Sequence, residues 1–137
     1  MTTKKSSKSN YIATVGRRKT ASARVRLFAK KGPIMVNDQP AAEYFPGSVN
    51  QAAYLAPFEI TGTVNQYSAR VKVVGSGKKG QLGAVVHGLA RALEKFNPDF
   101  RPLLKKQGLL TRDPREKERR KAGLAHKARA RKISPKR

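Results

Sequence analysis

Three stretches of this chain carry side chains that could do chemistry, and in each the chemistry is the binding of phosphate. Gly16-Arg17-Arg18-Lys19 sets three consecutive cations on a short turn. Gly75-Ser76-Gly77-Lys78-Lys79-Gly80 sets glycine-rich backbone amides and two lysines at the opening of a helical pattern, which is the chemistry of a phosphate cradle. Residues 112–137 hold twelve Lys/Arg against Asp113, Glu116 and Glu118, a net of +9. Catalysis has no comparable support. With no cysteine there is no disulfide, thiolate nucleophile or thiolate metal site. His87 and His126 stand far apart with no ligand-like spacing, and the sequence places no Ser, Cys or carboxylate partner beside His87. No enzyme activity, cofactor or metal is expected.

The spacing Gly75-x-Gly77-x-x-Gly80 also has the form of a dinucleotide fingerprint, with Asp99 about twenty residues on. That reading fails at the end of the helical pattern. Asn97-Pro98-Asp99 stops a helix and starts a new cap where a second parallel strand should run, and no length remains for a substrate domain. The phosphate at this loop then belongs to a nucleic-acid backbone. The plain alternatives are a tight turn with solvated lysines here and a solvated loop at Arg17 to Lys19.

The charge distribution points the same way. Of a net +23, residues 1–26 contribute +8 with no acid, residues 27–111 contribute +6 and residues 112–137 contribute +9. An excess loaded at both ends around a milder middle is the footprint of a polyanion binder. Neither end has the amphipathic pattern of a membrane-surface helix. No run approaches the ~18 apolar residues of a membrane span. Residues 1–10 lack the apolar stretch of a secretory signal and read as a disordered basic arm.

The elements that must position these cations are set by periodicity. Tyr11 to Val15 is β-prone. Residues 21–29 alternate Ala21, Ala23, Val25 and Leu27 with Ser22, Arg24 and Arg26, a half-buried strand with a basic face. A short strand spans Ile34 to Val36, and Pro40 to Tyr44 starts a short helix. Ser48 is a plausible N-cap for a helix from Val49 to about Leu55, with Pro57 and Thr61-Gly62-Thr63 in the next loop. Tyr67 to Val74 is a second clear strand with Arg70 and Lys72 on its basic side. Leu82, Val85, Val86, Leu89, Leu93 and Phe96 recur at helical spacing, with His87, Arg91 and Lys95 opposite. Asp99 can cap a further helix to about Gly108. Tyr11, Tyr44, Tyr54, Tyr67 and the phenylalanines read as core or rim, since they lack the pattern of base-stacking platforms.

These readings give an α+β fold, a two-layer sandwich of about four strands with helices on one face and a free basic face. The expected organisation is a disordered arm over 1–10, a globular domain over 11–111 and a basic tail over 112–137. In the tail, Asp113 as N-cap, Pro114 at the first position, Glu116 as capping-box partner and Gly123 as terminator predict a short helix over about 114–122. Residues 124–137 then run on, reaching roughly 45 Å if extended. The candidate nucleic-acid contacts are Arg17, Arg18, Lys19, Arg24, Arg26, Arg70, Lys72, Lys78, Lys79 and Arg91 in the body. In the tail they are Arg112, Arg115, Arg119, Arg120, Lys121, Lys127, Arg129, Arg131 and Lys132. By charge alone the alternative is a general nucleic-acid-binding or chaperone protein with nonspecific phosphate contacts.

Several blocks together resemble a known family. Gly16-Arg17-Arg18-Lys19-Thr20-Ala21-Ser22-Ala23-Arg24-Val25-Arg26, Gly80-Gln81-Leu82-Gly83-Ala84, His87-Gly88-Leu89-Ala90-Arg91-Ala92-Leu93, Leu110-Thr111-Arg112-Asp113 and the closing Lys136-Arg137 are similar to the bacterial-type ninth family of small-subunit ribosomal proteins. The resemblance runs in order from about Tyr11 to Arg137. It implies a split β-α-β fold like that of the second domain of the fifth small-subunit protein. It also implies a place in the head of the small subunit, on small-subunit rRNA and beside neighbouring head proteins. The implied location is a cytoplasmic ribosome, an organellar one being the alternative. In that family the tail threads through RNA toward peptidyl-site tRNA. Carried over by position, Lys136 and Arg137 are the tRNA-contacting pair, and Arg129, Arg131 and Lys132 line the path. The end departs from the family pattern of an aromatic residue followed by Ser-Lys-Arg. Ile133 replaces the aromatic, and Pro135 is inserted before the basic pair, which displaces the tip by up to ~3.5 Å. Asn37-Asp38 stands where the family commonly has Asn-Gly, so a different turn type is allowed there.

Overall fold

A computed structural model describes residues 11–130. The basic arm over 1–10 and the tail end over 131–137, with Arg131, Lys132, Lys136 and Arg137, lie outside the described residues. Strands β1 (Tyr11–Arg18) and β2 (Ala21–Phe28) form an antiparallel hairpin. A short hairpin of β3 (Ile34–Val36) and β4 (Gln39–Pro40) comes next. Helices α1 (Ala41–Tyr44) and α2 (Ser48–Thr61) cross over to β5 (Ser68–Val74), which runs parallel to β3 and antiparallel to β2. Helix α3 (Lys78–Phe96), a 3₁₀ turn (Pro98–Phe100) and α4 (Arg101–Lys106) complete the body. The sheet order is β1-β2-β5-β3-β4, so the expected two-layer α+β sandwich has five strands, the extra one being the two-residue β4.

Alternation decides which face of the sheet is covered. Ala21, Ala23, Val25 and Leu27 of β2 and Ala69, Val71 and Val73 of β5 are all buried, while Arg24, Arg26, Arg70 and Lys72 between them are exposed. Ala84, Val85, Leu89, Ala92 and Leu93 of α3 close the core from the other side, with Tyr54 and Phe58 of α2.

The tightest packing is that of β1 on α3. A Cβ on Gly16 would lie 2.0 Å from the Ala84 carbonyl oxygen and 2.3 Å from the Gly88 nitrogen. Backbone therefore meets backbone, and the Thr14 hydroxyl donates to the Gly88 carbonyl oxygen at 2.8 Å. At the outer edge of β1 the Arg17 N–H donates to His87 Nδ1 at 3.2 Å, and Arg91 donates to the Val15 carbonyl. Two of the groups on that outer edge are thus satisfied by side chains of α3.

The structure corrects several boundaries. Helix α2 begins at Ser48 itself, after Gly47, and runs through Pro57 to Thr61 rather than stopping near Leu55. Tyr54, Pro57 and Phe58 are buried in the core, and that burial outweighs the hydrogen bond missing at proline. The Thr61 hydroxyl donates to the Pro57 carbonyl, and Gly62 ends the helix in a left-handed conformation at φ 68°. The cap after α3 is Asn97, whose side chain accepts from the Asp99 N–H, rather than Asp99. Asn37 and Asp38 both have positive φ, 49° and 65°, as a type I′ turn requires.

The helix expected over 114–122 is not formed: residues 112–121 are irregular. Residues 115–122 are all exposed, so no apolar face packs to hold so short a helix. The Asp113 carboxylate does make a capping bond, accepting from the Arg115 N–H two residues on, and it also accepts from the Arg115 guanidinium, but no helix follows it.

The β1–α3 contact predicts a large and local sensitivity. Gly16→Ala should lower stability to urea by at least about 2–3 kcal/mol, because overpacking here pushes on backbone that cannot rotate away. Gly77→Ala, where an added Cβ meets nothing within 4 Å, should change it by less than about 0.5 kcal/mol.

Candidate nucleic-acid interface

The free face of the sheet is built by register. Arg24 lies directly opposite Lys72, and Arg26 opposite Arg70. Like charges set directly opposite one another are unfavourable. Adjacent strands are about 5 Å apart, and same-face residues along a strand about 7 Å apart, so the four cations form a tight rectangle. None of the four has an ion-pair partner among the described residues. The β1 residues on the same face, opposite Arg26 and Arg24, are Ala13 and Val15, so no bulky side chain flanks the rectangle there. At its end Tyr11 and Phe28 pack with ring centroids 5.6 Å apart, and the Arg26 guanidinium sits 5.4 Å from the Tyr11 centroid. Tyr11 stands at the rim, as expected.

The cluster Arg17-Arg18-Lys19 does not act as one patch. Alternation along β1 sends Arg17 to the free face and Arg18 to the helix side, the side shared by Gly16 and Thr14. Lys19 forms the tip of the turn at φ 51°. Arg18 lies across Gly83 of α3, where an added Cβ would stand 2.3 Å from its Cδ. The Gln81-Leu82-Gly83 segment therefore has a bare spot that receives this arginine. The sequence signal was Gly83 itself, a glycine inside a strong helical pattern.

The Gly75–Gly80 loop is engaged internally on one side. The Lys78 ammonium donates to the Tyr44 carbonyl oxygen at 3.2 Å and lies 3.3 Å from the Tyr44 ring centroid. Tyr44 in turn donates to Gln81 Oε1 at 2.6 Å, and Asn37 ties Tyr44 to Val73 on β5. Lys78 is a clasp between α1 and α3, and both it and Lys79 are exposed. No strand comes after α3 among the described residues, in keeping with the rejection of a dinucleotide fold.

The tail leaves the body beside β1. Arg112 donates to the Lys19 carbonyl oxygen at 3.3 Å, and Arg18 Nη2 lies 3.6 Å from Asp113 Oδ2. The Arg115 guanidinium hydrogen-bonded to Asp113 holds that carboxyl well below the usual carboxylate range. Farther on, the Arg129 guanidinium pairs with Glu118 and depresses its carboxyl likewise, and Lys121 donates to the Ala128 carbonyl. Arg119, Arg120 and Lys127 are exposed. Ion pairs at exposed sites contribute little and exchange readily for phosphate.

No group of three metal-ligating side chains occurs among the described residues, and no described helix is long and apolar enough to cross a membrane. A hollow of about 260 Å³ beneath α2, lined by Ile34, Tyr54, Leu55 and Phe58, has no charged residue in its wall and lies away from the cations. Compared with known families, residues 16–137 match the family model described as ribosomal protein S9/S16.

Partial burial pushes the His87 imidazole below its usual value of 6.5, with the Arg91 and Arg112 cations acting in the same direction and a hydrogen bond to the Leu110 backbone opposing them. The neutral ring accepts from the Arg17 N–H, which an imidazolium cannot do. A base whose pKa is lower in the folded state binds fewer protons there than when unfolded. Its contribution is therefore fully present above about pH 6.5 and is lost as pH falls through the folded value. Thermal stability of the wild type should fall as pH drops below about 6.5, and His87→Asn, which keeps an acceptor without titrating, should flatten that part of the profile.

Proposed function

The chain belongs to the ribosomal protein S9/S16 family, as a structural, RNA-binding protein of the small ribosomal subunit, and from that premise we propose that it docks its body on small-subunit rRNA in the head and directs its tail toward peptidyl-site tRNA. The observation that carries the rRNA reading is the rectangle of Arg24, Arg26, Arg70 and Lys72, like charges opposed in register with no carboxylate to neutralise them among the described residues. A polyanion relieves that repulsion, and the counterions it releases supply the driving force. The exposed tail cations Arg112, Arg119, Arg120 and Lys127 extend the positive track out of the body, and Arg115 and Arg129 join it when they exchange their carboxylates for phosphate. Lys136 and Arg137 close the track at the tRNA. The division of labour is a globular domain over 11–111 that positions and a tail over 112–137 that reaches. The protein works without catalysis, by charge neutralisation and shape, in the cytoplasmic ribosome next to other head proteins. A general nucleic-acid chaperone would share the charge but needs no fixed partner.

Two outcomes are expected. Replacing Arg26 and Arg70 together by Gln should lower the slope of log affinity for an rRNA head-domain transcript against log salt by roughly 1.5, at ~0.7–0.9 for each phosphate no longer neutralised. Slopes equal to wild type would remove the sheet face from the interface. Deleting Lys136 and Arg137 should leave stoichiometric recovery in small subunits after a high-salt wash intact while speeding tRNA dissociation from the peptidyl site. An unchanged dissociation rate would sink the tRNA assignment, and loss of the protein in the wash would favour the chaperone.

A further inference from the structure

On the side of the molecule away from the sheet face, a groove of about 630 Å³ runs between the β1–β2 turn, α2, α3 and the root of the tail. That volume is in the range of ligand sites. Its walls include Arg18, Lys19, Lys79, Asn50 and Thr111, with Asp113 the sole carboxylate. Arg18 is held in it by shape: its side chain lies on the bare backbone of Gly83, and an alanine there would displace it. Yet Arg18 is poorly used. Its Nε is buried with no hydrogen-bond partner among the described residues. Its Nη2 stands 3.6 Å from Asp113 Oδ2, beyond hydrogen-bond length. Asp113 meanwhile makes its good bonds elsewhere, 2.7 Å to Arg115 Nη2 and 3.0 Å to the Arg115 N–H. A covered guanidinium N–H without an acceptor is unfavourable, and a planar fork of donors fits the two free oxygens of a phosphodiester better than an off-register carboxylate.

We infer that this groove is a second RNA site, in which a phosphodiester takes the place of Asp113 on Arg18, flanked by Lys19 and Lys79. The inference rests on the RNA-binding reading above and deepens it. Asp113 stands in for phosphate in the free chain and keeps the tail root against the β1–β2 turn, together with the Arg112 bond to the Lys19 carbonyl. When phosphate arrives, Asp113 gives up Arg18 and the root detaches. Docking of the body and release of the tail are one event, with RNA held on two opposite sides of the sandwich.

The test is binding of the full chain to a transcript of the rRNA head domain over a salt series. Gly83→Ala should weaken affinity about 3- to 10-fold and lower the salt slope by about one phosphate, ~0.7–0.9. The clash is with a flexible side chain, so the fold should survive. Arg18→Gln should do the same, and the double variant should be no worse than either single, since both remove one contact. Asp113→Asn should tighten binding more than Glu43→Gln, a carboxylate removed at a distant exposed site. Wild-type affinity in Gly83→Ala and Arg18→Gln, or equal effects of Asp113→Asn and Glu43→Gln, would overturn the groove. If the Arg26/Arg70 replacement still weakens binding in that case, the RNA reading stands without it. A wild-type chain that fails to bind the transcript overturns both.

Discussion

The fold depends on the near-contact of two backbones at Gly16 and Gly88. No side chain separates β1 from α3 there, and most of the helix side's chemistry depends on that approach. It brings Thr14 within reach of the Gly88 carbonyl and sets His87 and Arg91 beside the outer edge of β1. It also lays Arg18 on Gly83, one turn from the contact. Small residues on both partners, Ala21 and Ala23 on the sheet and Ala84 and Ala92 on the helix, keep the two layers close over the rest of the interface. The glycines of α3 cost helix propensity, about 1 kcal/mol each against alanine, and the close packing they permit is what offsets it.

The free face works in the opposite sense. A protein left to itself gains nothing from Arg24 against Lys72 and Arg26 against Arg70; the arrangement becomes favourable only when a polyanion covers it. The two sides of the sheet thus divide the work. The alternate residues that face α3 are apolar and secure the fold, and those that face outward are held in register by that security. Positional precision on the free face is inherited from packing on the other.

Period-two alternation in β2 and β5 and period-3.6 spacing in α3 were legible in the sequence because burial on one side imposes them, and they carried the fold class and the basic face. The features that were not legible depended on contacts distant in sequence. The run Arg17-Arg18-Lys19 reads as one cluster until pairing with β2 assigns each residue a side. Lys78 reads as a candidate phosphate contact, and its bond to Tyr44 far back in the chain is not visible in the local sequence. Pro57 reads as a helix stop because local propensity cannot register the burial of Tyr54 and Phe58. The tail shows the converse. Asp113, Pro114 and Glu116 are sound helix-start signals, and Asp113 does accept from the Arg115 N–H, but capping without a face to pack does not make a helix. The terminal pair Lys136 and Arg137 was legible only through family resemblance, since nothing in their local chemistry sets them apart from the other cations.

The edges of the sheet have a consequence for the chain before it meets RNA. An open strand edge is a template on which another copy can add a strand. Here one edge has its carbonyl at Val15 and its amide at Arg17 occupied by α3, and the other ends in a strand of two residues that includes Pro40, which has no N–H to offer. A chain carrying opposed like charges on one face already repels its own kind. Interrupting both edges narrows the remaining route to self-association, which helps a sheet that must stay uncovered on one side for its partner.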